Sequence, residues 1–377
     1  MALGPLIRDL RLTLGMSQSR LAAALCDQAA HATVTRDEVR RWEANKRSPR
    51  PFWLRHLAAV LQVPTATLQH RERPDFVNPT VASRVAPVVA CDLLERGFAH
   101  ALGEQPSAED WQAALHTYGR DYMVLGAAEV QRRVTADLVL IQQQLDTPQM
   151  WATAAKLSTL YAKTFPGTDG ARAVNWYLLA ARAADRSEDR ASRVWVRGRA
   201  AIALGYEGAA LGVADTLARQ ALDIDDRPSL GRLNALMGRA HAAAIRGEAA
   251  TAQELLTSAR RTFDAVAHHE QEADSDYAVP WWRFNVFISL LGARLGDERT
   301  AETAHEEARR NLPADLPRFA THLELHRALM VATSGNPAGG AVYARAALAA
   351  LPPERHSLTL RMLLGEIESH APDAEPK

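Results

Sequence analysis

Cysteine is nearly absent: Cys26 and Cys91 are the two in 377 residues. They form no metal spacing and no disulfide framework, which suits a reducing cytosol. No basic leader with an apolar run opens the chain, and no apolar stretch approaches the roughly 18 residues of a membrane span. A soluble, cytoplasmic protein is expected. Glycine-rich phosphate loops, a nucleophile elbow, and kinase or zinc-hydrolase motifs are missing, so neither an enzyme nor a cofactor is expected. Net charge is also missing, with 44 Lys+Arg against 44 Asp+Glu. That balance hides an asymmetry: residues 1–73 hold 12 basic and 6 acidic side chains, and the remainder holds 32 and 38. A basic head on a mildly acidic body suggests that the head alone meets a polyanion.

What is present is helical periodicity, and nothing reads as a succession of strands. In "PLIRDLRLTLG", Leu6, Ile7, Leu10 and Leu14 share a stripe closed by Gly15. "SQSRLAAAL" follows, with Ser17 at an N-cap position. In "TRDEVRRWEANKRSPR" Thr35 and Glu38 have capping-box spacing, and Val39 and Trp42 share the inward face. Arg36, Asp37, Arg40 and Arg41 then fall outside. "RPFWLRHLAAVLQVP" adds a helix through Leu54, Leu57, Ala58 and Leu61. Two short helices joined by a turn, the second basic outside and apolar inside, form a helix-turn-helix pattern.

From "LRLTLGMSQSRLAAAL" through "VTRDEVRRWEANKRSP" to "LAAVLQVP", the order of signals resembles the Cro and phage-repressor (Xre-type) family, in the form common in actinobacteria. The resemblance implies a five-helix DNA-binding head. It pairs Arg11 with Glu43 and assigns Trp42 to the core. Ser17 and Gln18 would open the second helix against the phosphate backbone. Thr35, Arg36, Asp37, Arg40 and Arg41 would enter the major groove, with arginine suited to guanine O6/N7. Asp37 would accept from a cytosine amine or orient Arg36 or Arg40. Asn45, Lys46, Arg47 and Arg50 would follow on phosphates. One departure is "CDQAAHATV" between Leu25 and Thr35, longer than the family's usual turn, which either lengthens the second helix or loops out.

"HRERPDFVNP" (70–79) reads as a linker. Further on, glycine turns at Gly167, Gly208, Gly247, Gly296 and Gly335 recur at intervals of 41, 39, 49 and 39 residues. Each is flanked by alanine-rich amphipathic helices, the signature of an α-solenoid, and the array resembles tetratricopeptide-like repeats. The expected organisation is all-α: 1–72 the helix-turn-helix domain, 73–148 a helical connector with a possible dimerisation role, 149–371 the repeats, and 372–377 a disordered tail.

First-helix residues of such an array line a concave surface. Arg197, Asn234, His241, Trp281, Arg283, Asn285, His322 and His326 are polar or aromatic where a pure core would be aliphatic, so they are candidate contacts to a peptide or small molecule. Asn234 and Asn285 resemble backbone-clamping asparagines of peptide-sensing regulators. For any one of these residues, an inter-helix hydrogen bond is the competing role. For the aromatic residues Trp176, Tyr177, Trp195, Trp281 and Trp282, repeat-to-repeat packing is the favoured reading over ligand stacking. His268, His269, Glu270, Glu272, Asp274 and Asp276 lack zinc-helix spacing and read as a solvated loop, so no metal is expected. Together these features point to a dimeric, double-stranded-DNA-binding transcriptional regulator with a sensor body, found with the nucleoid when on its operator. The alternative is a DNA-tethered scaffold whose repeats hold a protein partner.

Overall fold

The computed structural model describes residues 3–29, 33–63, 106–165, 170–266 and 275–371, with isolated positions 65, 68, 95, 98, 99, 102 and 103. Among the described residues every regular element is a helix. The head holds α1 (Leu3–Thr13), α2 (Gln18–Ala29), α3 (Arg36–Glu43) and α4 (Pro51–Val60); a fifth helix, the 70–79 linker and the Gly167 turn lie outside the described residues. Leu6, Ile7 and Leu10 of α1 meet Leu21 and Leu25 of α2, Val39 and Trp42 of α3, and Leu57 of α4, all buried. Gly15, at φ +64°, ends α1 as its left-handed turn requires. Ser17 Oγ accepts from Arg20 N–H at 3.1 Å, and Thr35 Oγ1 from Glu38 N–H at 3.3 Å. The long turn is resolved in favour of extension: α2 runs on to Ala29.

The body is a succession of antiparallel-type helix neighbours in chain order. α5 (Ala108–Val124) and α6 (Ala127–Ile141) share an apolar cluster with α7 (Pro148–Ala162). Then come α8 (Gly170–Arg186), α9 (Arg190–Glu207) with α10 (Leu211–Ile224), and α11 (Leu230–Ile245) with α12 (Ala249–Ala265). α13 (Trp281–Leu295) with α14 (Glu298–Asn311), α15 (Pro317–Thr333) with α16 (Pro337–Ala349), and α17 (Leu358–Ser369) complete it. The turn glycines Gly208 and Gly296, at φ +69° and +66°, cap α9 and α13 in the left-handed region.

α9 and α11 approach until their backbones touch. A Cβ on Gly198 would lie 1.9 Å from Gly231 O, and one on Gly205 2.4 Å from Gly238 O. Two glycines seven residues apart on each helix therefore set the spacing of the array at its centre. The array curls until its ends meet. Arg318 of α15 donates to Tyr122 O of α5 at 2.6 Å, and Thr359 of α17 donates to Glu207 of α9 at 2.9 Å. Arg294 joins α13 to both, donating to Glu366 and to the carbonyls of Gly205 and Tyr206.

The head rests on the second helices of the array. One apolar cluster runs through both, Asp9 pairs with Arg182 at 3.5 Å, and Leu14 and Gln62 press on Gly212 at the start of α10.

Gly238→Val should destabilise the full chain by about 1–3 kcal/mol or more, because the neighbour it meets is backbone and cannot step aside. Gly365→Ala, in an open position on α17, should raise stability by about 0.5–1 kcal/mol. Thermal unfolding of the two variants checks the pair; equal midpoints would contradict the close approach.

Candidate functional site

In the head, a buried ion pair fixes which way α3 faces. Arg11 Nε donates to Glu43 Oε1 at 2.5 Å and its Nη2 to Oε2 at 3.0 Å, a two-pronged grip, while Nη1 donates to Met16 O at 2.7 Å. Gln18 Nε2 joins the same carboxylate at 2.7 Å. With Val39, Trp42 and Glu43 inward, Thr35, Arg36, Asp37, Arg40 and Arg41 are exposed on the opposite side. Asp37 lies 3.3 Å from Arg40 and orients that guanidinium. Arg36, Arg41 and Lys46 have no carboxylate partner among the described residues, whereas Arg47 pairs with Glu38. Two polar residues expected on phosphates are held elsewhere: Gln18 is turned onto Glu43, and Asn45, left-handed at φ 53°, accepts from Gly4 N–H at 2.8 Å. Both side chains satisfy internal groups, as does Ser17 Oγ, whereas Lys46 is exposed.

In the body, the curled array encloses a cleft of about 540 Å³ of inter-atomic space, its open mouth included. α9 supplies Arg199, Tyr206 and Glu207, α13 supplies Arg283 and Phe287, and α15 supplies Arg318, Phe319 and His322. Tyr122, Lys163 and Thr359 close it from the two ends of the array. Behind it sits Asp276, 2% exposed. Lys163 pairs with this carboxylate, with Arg199 at 2.8 Å and Arg283 at 2.7 Å on the same oxygen. Burial alone would raise the Asp276 carboxyl, but Arg199, Lys163 and Arg283 hold it well below the usual range. Burial and repulsion from Arg199 push the Lys163 ammonium well down. Asp276 thus corrects the reading of its segment as a solvated loop: three cations and the carbonyl of Gly119, which accepts its amide at 2.8 Å, draw it inside. His268 to Asp274 lie outside the described residues. Among the described residues no group of three or more His, Cys, Asp or Glu side chains could hold a metal ion.

The eight ligand candidates scatter. Arg283 and His322 line the cleft. His326 and His241 stand behind it: His326 Nε2 lies 2.7 Å from the Tyr206 hydroxyl, and His241 Nδ1 accepts from Arg294 at 3.0 Å. Arg197 is a structural tie to Asp185 at 2.7 Å and Gln220 at 3.1 Å, away from the cleft. Asn285 donates to the Trp281 carbonyl one turn back, and both border a separate outer depression with Glu307. Asn234 is buried with its Oδ1 unpaired and does not line the cleft. The two asparagines expected to clamp a backbone are therefore not joined in this cleft, because Asn285 is spent on its own helix. Sequence reading missed Lys163, Arg199, Glu207 and Arg318. Arg199 and Glu207, charged and two turns apart in an alanine-rich helix, carried a signal; Lys163 and Arg318 reach the cleft only through tertiary curvature.

Burial raises the Glu207 carboxyl to about 7, against the pull of the Thr359 hydroxyl, Lys163 and Arg199. Its ordinary value is 4.5, so the unfolded chain ionises first. This group therefore withdraws stability as pH rises from about 4.5 to about 7, on the order of 3 kcal/mol over the window. Buried His322, lowered to about 3 by burial and Arg318, acts in the opposite sense, withdrawing stability as pH falls below about 6.5. Comparing wild type with Glu207→Gln isolates the first effect. The variant's relative stability should grow from pH 4.5 to 7, and a gap independent of pH would contradict the buried, neutral carboxyl.

Residues 7–68 match the Helix-turn-helix family model. No curated protein matches the sequence. Among solved structures the chain is similar to Bacillus thuringiensis PlcR, in a crystal structure with the peptide PapR7 and DNA. Identity is 17%, coverage is 70% of this chain and 94% of that one, and the TM-score is 0.35. The head of this chain, over residues 7–68, is a helix-turn-helix DNA-binding domain.

Proposed function

We propose that the protein is a sequence-specific transcriptional regulator in which α3 reads the major groove and the curled body senses an effector. The observation that carries the first half is the exposed guanidinium face of α3, held outward by the Arg11–Glu43 pair. The second half rests on the cleft and on its short route to the head. Glu207 lines the cleft, and five residues later Gly212 touches Leu14 and Gln62 of the head. An occupant pressing on Glu207 or Tyr206 therefore acts on the segment against which the head is seated. A concave, half-open cleft favours a ligand sensor over a scaffold for a protein partner, which would use a broad open face. The protein has no catalytic role in this reading. It works as a homodimer, since a two-fold operator with half-sites about one turn apart calls for a two-fold protein. Its place is the cytoplasm, on DNA; among the described residues no helix is long and apolar enough to cross a membrane.

Duplexes selected from genomic fragments by the full chain provide the test. Arg36→Ala should cost about 1–3 kcal/mol on the selected duplex and little on random DNA, because a bidentate base contact is lost. Lys46→Ala should weaken both alike and make the salt dependence shallower by about one phosphate contact. Uniform loss on both duplexes for both variants would contradict base reading by α3.

A further inference from the structure

Three cations drawn from distant parts of the chain, Lys163, Arg199 and Arg283, share the single carboxylate of Asp276. A fourth, Arg318, lines the same cleft with no carboxylate partner among the described residues, stacked instead over Tyr122 and Phe319. The Nε atoms of Arg199 and Arg283 are buried without any partner. Glu207 is the carboxylate of the lining itself, Asp276 standing behind it, and Thr359 donates to Glu207. Three arginines, with a Lys163 whose ammonium is pushed down, face Asp276 and a Glu207 carboxyl that is about half neutral near pH 7, which leaves an excess of positive charge in a half-dry site. Uncompensated buried charge is costly, and a charged cleft with low-dielectric walls concentrates counter-ions. The walls themselves are apolar, from Ile202, Val286, Phe287 and Phe319. The closures at Glu207–Thr359 and Tyr122–Arg318 bound the space on two sides.

We propose that this cleft binds a small organic anion, a carboxylate or phosphate monoester on a ring-sized apolar body, with the anionic group on Arg318 and the body against Phe287 and Phe319. The inference rests on reading the cleft as the effector site and names the chemistry of its ligand. Arg318 presents a planar guanidinium suited to either head group. The remaining three cations supply the field, and Tyr122, Tyr206 and His322 face the same space as neutral groups, since burial raises the two phenols and lowers the imidazole.

The full-length protein is titrated with benzoate, phenyl phosphate, inorganic phosphate and uncharged benzyl alcohol at constant ionic strength, and binding is read by calorimetry. Benzoate or phenyl phosphate should bind, and the tighter of the two names the head group. Benzyl alcohol should bind at least about tenfold more weakly, as should benzoate to Arg318→Gln. Arg345→Gln, an exposed arginine far along the array, should titrate like wild type. Should Arg318→Gln fail to fold, pH serves instead. Benzoate affinity should fall as pH rises through about 7 and Glu207 ionises, and the Glu207→Gln variant should lose that part of the pH dependence. Benzyl alcohol binding as well as benzoate would overturn the anion assignment while leaving a ligand cleft. Inorganic phosphate matching phenyl phosphate would overturn the apolar body. No binding by either aromatic anion, or an Arg318→Gln titration equal to wild type, would overturn the proposal. Binding without any change in DNA affinity would leave the anion site standing and remove the effector reading instead.

Discussion

The Arg11–Glu43 pair is the constraint on which the head depends. Its two charges are 6% and 8% exposed, so each is tolerable only while the other is in place. Glu43 also takes the Gln18 amide, which ties the starts of α2 and the end of α3 to α1 through one carboxylate. Once Glu43 is pinned and Val39 and Trp42 are packed, the rotation of an eight-residue helix is settled. The arginines on its far side then face outward as a consequence of packing, without needing a contact of their own.

The body uses the same device at larger scale. Asp276 gathers Lys163, Arg199 and Arg283 from α7's end, α9 and α13, and so closes a curve that the repeats alone would leave open. Glycine pairs at the α9–α11 crossing permit the tight curvature, and Arg294 locks α17 across the gap. Charge collected to close the array is not fully neutralised there. The excess faces the cleft, next to Glu207 and the turn that seats the head. In the proposed reading, structural closure and ligand recognition draw on the same side chains.

Much of this was legible in the sequence, for identifiable reasons. The helical heads and turns were marked by periodicity, by the Ser17 and Thr35 caps, and by glycines that recur where the chain needs a left-handed residue. Trp42 could be placed inside because its i, i+3 partner Val39 shares its face. The cleft was harder to read. Polar residues on first helices were sound markers that something was buried there, but burial served different ends: Arg197 ties α8 to α10, Asn285 bonds its own helix, and Arg283 with His322 reaches the cleft. Lys163 meets Asp276 across 113 residues of chain and Arg318 meets Tyr122 across 196, and no spacing encodes either meeting. Asp276 looked solvated because most of the residues just before it in sequence are polar; its neighbours in space are cations.

Methylation interference on a duplex selected by the full chain is the most direct measurement. Dimethyl sulfate marks guanine N7 in the major groove and adenine N3 in the minor groove, so one experiment separates the two grooves. With the α3 arginines facing a major groove, N7 methylation at one or more guanines of each half-site should abolish binding, and adenine N3 methylation there should not. Binding that tolerates every N7 methyl group and fails on adenine N3 would show that α3 does not read the duplex and that its outward guanidinium face serves some other end.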